Sequence, residues 1–325
     1  MIKEKKRFCI APMLKYTDRH CRYFHRIFTK KSFLYTEMMT TECLLNKKKK
    51  IYKNDDKHNL VAFQIAGNNS IKISKCAKII YKKKFNEINL NIGCPSLKLT
   101  KNFLGVSLMK HTNIVINSIN AINSSVPLPI SIKTRIGIDN HDSYQFFRDF
   151  IQKTSDTNKC KIFIIHARKA ILKNFSPKKN LIIPKLKYEY VYKLKKDFPQ
   201  LNIIINGGIK SIKEIKFHLK KVNGVMMGRF AYQNPMFLKK IDYKIFKNKK
   251  KKIKIKKILK KMCKYAIKNQ ILYNVSPKKI FCHMIGLFKN KKGSKKWKRF
   301  ISKFYHLNNY ASIQYMQKKI KKIKF

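Results

Sequence analysis

The sequence predicts an α/β protein: a closed (β/α)8 TIM barrel over residues 1–245, followed by a small C-terminal all-α helical domain over residues 246–325. Three observations predict it. Eight short apolar runs recur with helical text between them, the pattern of parallel strands covered on both sides, in a chain of barrel size. No GxGxxG follows the first run, which disfavours an open dinucleotide-binding sheet. After Leu238 the composition changes to lysine-rich helical text.

Taken in order, the first strand is Phe8-Cys9-Ile10-Ala11, closed by Pro12-Met13-Leu14. Thr17-Asp18 caps a helical stretch with Tyr23, Phe24 and Ile27. Strand two runs from Phe33 to Met38 and precedes a charged connection through Lys47–Lys50. Strand three, Leu60 to Ala66, ends at Gly67-Asn68, and a helix from Ile71 to Tyr81 leads to strand four, Glu87 to Ile92. There Ile88, Leu90 and Ile92 alternate with Glu87, Asn89 and Asn91, a strand with one apolar face. Gly93-Cys94-Pro95 stops the alternation, so a cysteine sits on a turn at the carboxyl end of a strand.

Strand five is Pro129 to Arg135, ending at Ile136-Gly137, and strand six is Ile162 to His166. Strand seven, Leu201 to Ile205, ends at Asn206-Gly207-Gly208. Strand eight, Gly224 to Met227, ends at Gly228-Arg229. Further on, Ile255, Ile258, Leu259, Met262 and Ala266 recur at helical spacing and make an amphipathic helix with a basic outer face. Helical text continues to Phe325, broken at Lys291-Lys292-Gly293-Ser294.

Lys and Arg number 77 against 15 Asp and Glu, a formal charge of +62. Such a field favours a polyanionic partner. Lys, Asn and Ile are heavily used throughout, as drift toward A/T-rich codons produces, so charge alone does not establish RNA binding. The eight cysteines form no CxxC pair and no metal spacing, which predicts reduced thiols, no metal and a cytoplasmic location. No run of ~18 apolar residues exists, so no membrane association is expected.

In a barrel the carboxyl ends of the strands converge on one mouth, where chemistry is done. They carry Pro12-Met13, Gln64, Asn91 with Cys94, Lys133, His166, Asn206-Gly207-Gly208 and Gly228-Arg229. The last two strands commonly hold phosphate, and here they offer glycine amides and an arginine. Gln64 and Lys133 suit the ring of a cofactor. Cys94 is either a small buried hydrophobe or a thiol that moves a proton. Two other readings stay open on these residues. A Schiff-base aldolase using Lys133 fits the phosphate loops but leaves Cys94, Gln64 and the basic tail unexplained. A catalytically decayed basic tRNA-binding protein fits the charge but not the intact mouth.

The motifs also resemble one family. Asn89-Leu90-Asn91-Ile92-Gly93-Cys94-Pro95-Ser96 is similar to the signature of the tRNA-dihydrouridine synthases. Ala11-Pro12-Met13-Leu14, Tyr35-Thr36-Glu37-Met38, Ile165-His166-Ala167-Arg168-Lys169-Ala170 and Ile205-Asn206-Gly207-Gly208-Ile209 match as well. Lys133-Thr134-Arg135-Ile136-Gly137-Ile138-Asp139, Ala231-Tyr232-Gln233-Asn234-Pro235 and His283-Met284-Ile285-Gly286-Leu287-Phe288 resemble the A-type branch.

The resemblance implies an FMN-dependent oxidoreductase that reduces uridine in the tRNA D-loop to 5,6-dihydrouridine, with NADPH as ultimate hydride donor. It places FMN against Pro12, Met13, Leu14, Gln64, Lys133, His166, Asn206, Gly207, Gly208, Gly228 and Arg229. It makes Cys94 the proton donor, and Asn91, Lys178, Leu181, Lys295 and Lys298 tRNA contacts. It implies a monomer with no stable protein partner. Three positions depart from the branch: Leu181 for arginine, Lys15 for aspartate, and Asn102, which tolerates a left-handed backbone, for glycine. Trp297 beside Arg299 reads as a cation–aromatic pair suited to RNA.

Overall fold

The computed structural model describes residues 6–46, 60–173, 175–249, 254–303 and 309–322. The basic residues 1–5 and the lysine-rich connection at 47–50 lie outside the described residues. The chain divides into two compact units, Met1–Lys15 with Ser32–Gly228, and Tyr16–Lys31 with Arg229–Phe325.

The first unit is a closed barrel of eight parallel strands in sequence order. These are β1 (Phe8–Ile10), β2 (Phe33–Thr40), β3 (Val61–Ala66), β4 (Glu87–Ile92), β5 (Ile130–Arg135), β6 (Cys160–His166), β7 (Asn202–Asn206) and β8 (Gly224–Met227). β8 closes on β1 with Cys9 opposite Met226. Every expected strand is present, with β2 running on to Thr40 and β6 beginning at Cys160.

The strands read as apolar because both of their faces are covered: Ile203, Ile204 and Ile205 of β7 are all fully buried. Side chains from six strands, including Cys9, Tyr35, Ala62, Ile164, Ile204 and Met226, pack into one cluster. The connecting helices start on side-chain caps. Asn69 Oδ1 accepts from Lys72 N at 2.9 Å, and Ser143 Oγ and Ser211 Oγ accept from Phe146 N and Glu214 N at 3.1 Å. Each cap satisfies an amide that has no partner within its own helix.

β4 differs from its sequence pattern in one respect. Its polar positions are as buried as its apolar ones. Glu87, Asn89 and Asn91 meet Gln64 and Ser131 of the adjacent strands and Tyr35 of β2, so the polar stripe lines the interior of the barrel.

The second unit is helical and drawn from two distant parts of the chain. Arg19–Phe28, expected among the barrel helices, belongs here. Asp18 caps it by accepting from Cys21 N at 2.8 Å. Its aromatic residues seek partners on the helix Ile255–Tyr273: Tyr23 stacks on Tyr265 with ring centroids 3.8 Å apart. Arg19 Nη2 also donates to Asn269 Oδ1 at 2.8 Å. Asp242 accepts from Thr29 Oγ1 and from Lys30 N at 2.8 Å. A boundary drawn at residue 245 therefore falls inside this unit.

Ile258, Leu259, Met262 and Ala266 form the buried stripe of Ile255–Tyr273, the spacing read from the sequence. Among the described residues, no helix is long and apolar enough to cross a membrane.

Candidate active site

Cys94 sits where β4 ends, on a turn held by one side chain. Asn91 Oδ1 accepts from Gly93 N at 3.2 Å and from Cys94 N at 3.0 Å. Asn91 Nδ2 donates to Gln64 Oε1 at 3.0 Å, and Gln64 Nε2 donates to Asn89 Oδ1 at 2.6 Å. Beyond the turn, Cys94 O accepts from Val106 N at 3.0 Å. A Cβ at Gly105 would fall 2.5 Å from that oxygen, and Gly105 has φ +69, so only glycine fits here. Burial pushes the Cys94 thiol up, while the Ser96 amide, Arg135 and Lys133 pull it back only in part. The group is therefore a protonated thiol at neutral pH, able to give up a proton but poorly disposed to act as a thiolate nucleophile.

Two cations lie beside it on β5. Lys133 is half-buried, and burial with the neighbouring Arg135 draws its ammonium down to about 7. Arg135 is buried and brought down to about 10, first by burial. Its guanidinium ties the loop after β4 to the loop after β6: Nε donates to Gly93 O at 2.9 Å, and Nη1 donates to Lys169 O at 2.9 Å and to Asn180 O at 3.2 Å. Asn180 closes its own loop by exchanging bonds with Ile171, of 2.8 and 2.7 Å. Sequence reading placed Arg135 only within a motif. The signal that could have found it is the polar alternation Ser131, Lys133, Arg135 in an otherwise apolar strand.

The loop after β7 needs its glycines. Gly207 has φ +124, and a Cβ there would fall 2.9 Å from His166 Cδ2 and Leu186 Cδ2. Gly208 has φ +71, and a Cβ there would meet Leu186 Cδ1 at 2.7 Å. Tyr188 Oη holds the loop by donating to Gly207 O at 2.7 Å, and Asn206 Nδ2 donates to Met226 O at 2.9 Å. Gly228 follows β8 and faces Ala11 and Met13, each 3.4 Å from where its Cβ would lie. Arg229 is next in the chain and opens the helix Arg229–Gln233. Pro12 and Met13 are half-buried, and Leu14 is exposed. Thus Gln64, Asn91, Cys94 and Lys133 are brought together with Arg135, while His166 lies against Gly207.

Lys178 is exposed just before the 3-10 turn Lys179–Leu181, and Leu181 is half-buried. In the helical unit, Lys295 and Lys298 are exposed on the helix Ser294–Lys303. Trp297 on the same helix corrects an expectation. It is buried against Phe288 and Phe300, and its Nε1 donates to Met284 O at 2.8 Å, so its ring is core and not an RNA platform. A second correction concerns the loop after Cys94. The left-handed residues there are Phe103 (φ 52) and Gly105, and not Asn102. Asn102 instead donates from Nδ2 to Lys98 O at 2.9 Å and accepts at its carbonyl from Asn68 at 3.1 Å. Lys15 is left-handed as well (φ 66), and its amide is bonded to the Glu37 carboxylate.

A parallel barrel whose mouth gathers a protonated thiol, two neighbouring cations and glycine-bearing loops after β7 and β8 defines a barrel enzyme built for an anionic ligand and a proton transfer. Comparison sharpens that class. The profile of the family described as "Dihydrouridine synthase (Dus)" matches residues 9–323. The chain belongs to the dihydrouridine synthase family.

Among its relatives, the tRNA-dihydrouridine(20/20a) synthase of Haemophilus ducreyi is 46% identical over 296 residues, covering 91% of each chain. The protein of that name from Vibrio vulnificus is 41% identical over 317 residues, covering 98% of this chain and 97% of the relative. That from Escherichia coli strain K12 is 42% identical over 300 residues, covering 92% and 87%. Among solved structures, a 2-naphthoyl-CoA reductase complex superposes with a TM-score of 0.54 at 10% identity, covering 72% of this chain and 49% of that one. Histamine dehydrogenase from Rhizobium sp. 4-9 gives 0.52 at 12% identity, covering 73% and 45%. These two likenesses are of fold.

Proposed function

We propose that the protein reduces uridine in the D-loop of tRNA to 5,6-dihydrouridine, with FMN as its cofactor and NADPH as ultimate hydride donor. The observation that carries this reading is a thiol kept protonated at the barrel mouth and aimed by Asn91. Family membership and relatives named tRNA-dihydrouridine(20/20a) synthase support it.

The residues present fit the cofactor. Two basic side chains side by side, Lys133 and Arg135, suit an electron-rich ring. The left-handed pair Gly207-Gly208 brings backbone amides close to an anion, with Gly228 and Arg229 next in line as the phosphate site. FMN held there would supply the hydride that goes to C6 of the uracil. This chain's residues supply the rest. Cys94 gives its proton to C5, so that hydride and proton together saturate the C5–C6 bond. Lys133, drawn down to about 7, takes up a proton when negative charge comes near it. Gln64 and Asn91 hold the turn that aims the thiol, and His166 packs behind the Gly207 loop.

The target base must leave its stack to reach such a mouth. Lys178, the Leu181 position, Asn91, Lys295 and Lys298 are the tRNA contacts in this reading, and the helical unit carries most of the backbone binding. In this reading the protein acts as a monomer, in the cytoplasm where tRNA is found.

The test is direct. Purified protein should show a flavin spectrum, bleach with NADPH, and regain colour on adding tRNA that lacks dihydrouridine. A colourless protein that forms a borohydride-trappable imine through Lys133 would overturn the proposal in favour of the aldolase chemistry.

A further inference from the structure

The barrel interior holds a chain of polar side chains that reaches well below the reacting thiol. At its floor, the Lys6 ammonium pairs with the Glu87 carboxylate, and both are buried. Lys6 Nζ donates to Tyr35 Oη at 3.0 Å and lies 3.8 Å from the centre of the Phe33 ring. Tyr35 Oη donates to Glu87 Oε1 at 3.2 Å. Ser131 Oγ donates to the same oxygen at 2.6 Å. From there the bonds climb: Asn89 Nδ2 to Ser131 Oγ at 2.7 Å, Gln64 Nε2 to Asn89 Oδ1 at 2.6 Å, Asn91 Nδ2 to Gln64 Oε1 at 3.0 Å, then Cys94 N to Asn91 Oδ1 at 3.0 Å.

Every bond in this chain is donated downward, and donor accounting leaves no other arrangement. A carboxylate only accepts, so Ser131 must donate to Glu87 and accept from above. Asn89 must then offer its NH2 to Ser131 and its oxygen upward. Gln64 and Asn91 follow in the same sense. At the top, the amides of Gly93 and Cys94 can only donate, so Asn91 must present oxygen there. The two ends agree, and such aligned bonds polarise one another.

We propose that Glu87, with Lys6 and Ser131, acts as a set of positioning residues for Cys94. The buried carboxylate imposes from below the same direction that the two turn amides impose from above on Ser131, Asn89, Gln64 and Asn91, and so strengthens the hold of Asn91 Oδ1 on those amides. The proposal rests on the reading of Cys94 as the acid, but the bond it predicts at the turn exists with or without catalysis.

The test uses the full chain with S131A, which breaks the link from Glu87 to Asn89 and leaves Asn89 Nδ2 only the longer, 3.3 Å bond to Ser131 O. Hydrogen exchange of the Gly93 and Cys94 amides, measured without flavin or tRNA, should speed up about 3–10-fold, as for loss of one neutral hydrogen bond. In the flavin-loaded protein, reoxidation by tRNA should slow by a similar factor while reduction by NADPH keeps its rate. In an N91A background, adding S131A should change neither exchange nor reoxidation further, since the relay acts through Asn91.

Unchanged exchange in a folded S131A protein overturns the proposal, and so does a full multiplicative effect in the double variant. Should S131A fail to fold, the charge-free pair K6M/E87Q serves instead. The carboxamide it puts in place of the Glu87 carboxylate can donate upward and no longer imposes the direction the turn amides need, so the same faster exchange is expected, and unchanged exchange again overturns the idea. Faster exchange with no tRNA-dependent reoxidation even in the parent would retain the relay and refute the proposed function.

Discussion

The interior of the barrel and the outer face of the helical unit are both rich in polar groups, and they use them in opposite ways. Inside the barrel, Glu87, Ser131, Asn89, Gln64 and Asn91 each bond a named partner, and burial shifts the Lys133 and Cys94 equilibria. On the helix Ser294–Lys303, Lys295, Lys296, Lys298 and Arg299 stand in solvent around a buried Trp297. The difference teaches where a single substitution matters. A bonded, buried group has one arrangement and loses it abruptly. Solvated cations act as a sum and are lost gradually.

The sharpest way to break that contrast is at Cys94. Cys94→Ala should keep the fold and the flavin and leave reduction by NADPH normal. Reoxidation by tRNA should slow ~10²–10⁴-fold, the range for losing a general acid. Serine should not rescue it, because a hydroxyl is far less acidic than a thiol. Near-normal turnover in either variant, read by stopped-flow absorbance of the flavin, would make the cysteine merely structural.

Next in size is Trp297→Ala, which should cost about 3–5 kcal/mol of stability in the helical unit, as for any buried large aromatic. Urea unfolding followed by far-UV circular dichroism checks it. A variant of parental stability that nevertheless loses tRNA binding would return this ring to the RNA surface.

Smaller still is the pair Lys295→Glu and Lys298→Glu. Affinity for tRNA should fall about tenfold, and the salt dependence should flatten by about one unit of slope for each lost phosphate contact. Parental slope in filter binding across a salt series would remove these two lysines from the interface. Cutting the chain at residue 245 is a poorer test. It would leave 16–31 and 229–245 without the helices they pack on.

A further effect is on pH. In the helical unit, burial holds His25 down at about 3 and His20 at about 4, against an ordinary 6.5. Between these values the unfolded chain binds more protons than the folded one, so stability rises with pH there and is lost as pH falls below about 6.5. Lys133 titrates above that window, between 10.5 and about 7, and its contribution no longer changes there. Fluorescence of Trp297, the single tryptophan of the chain, reports on the helical unit alone. Its urea midpoint should drop steadily from pH 6.5 to 4, and a flat midpoint would show that these histidines stay solvated.

What the sequence determined by itself was the local pattern and the list of parts. Short apolar runs, most of them ended by glycine or proline, located all eight strands, because a strand buried on both faces leaves a short apolar word. Cys94, Gln64, Lys133 and the paired glycines were legible because each stands at a strand end, where side chains turn toward the mouth.

Only the tertiary structure decided the partners. Phe24 and Tyr23 could have packed on any apolar surface, and the stacking of Tyr23 on the helix Ile255–Tyr273 is a long-range choice that no local spacing encodes. Trp297 is equally compatible with a core or an RNA face until Met284 O takes its N–H. The relay from Lys6 to Cys94 draws on β2, β3, β4 and β5, and on a lysine that precedes β1. Alternation in one strand says that Glu87, Asn89 and Asn91 share a face. Barrel closure turns that face inward, where burial gives Glu87, Asn89 and Asn91 their partners on the other strands.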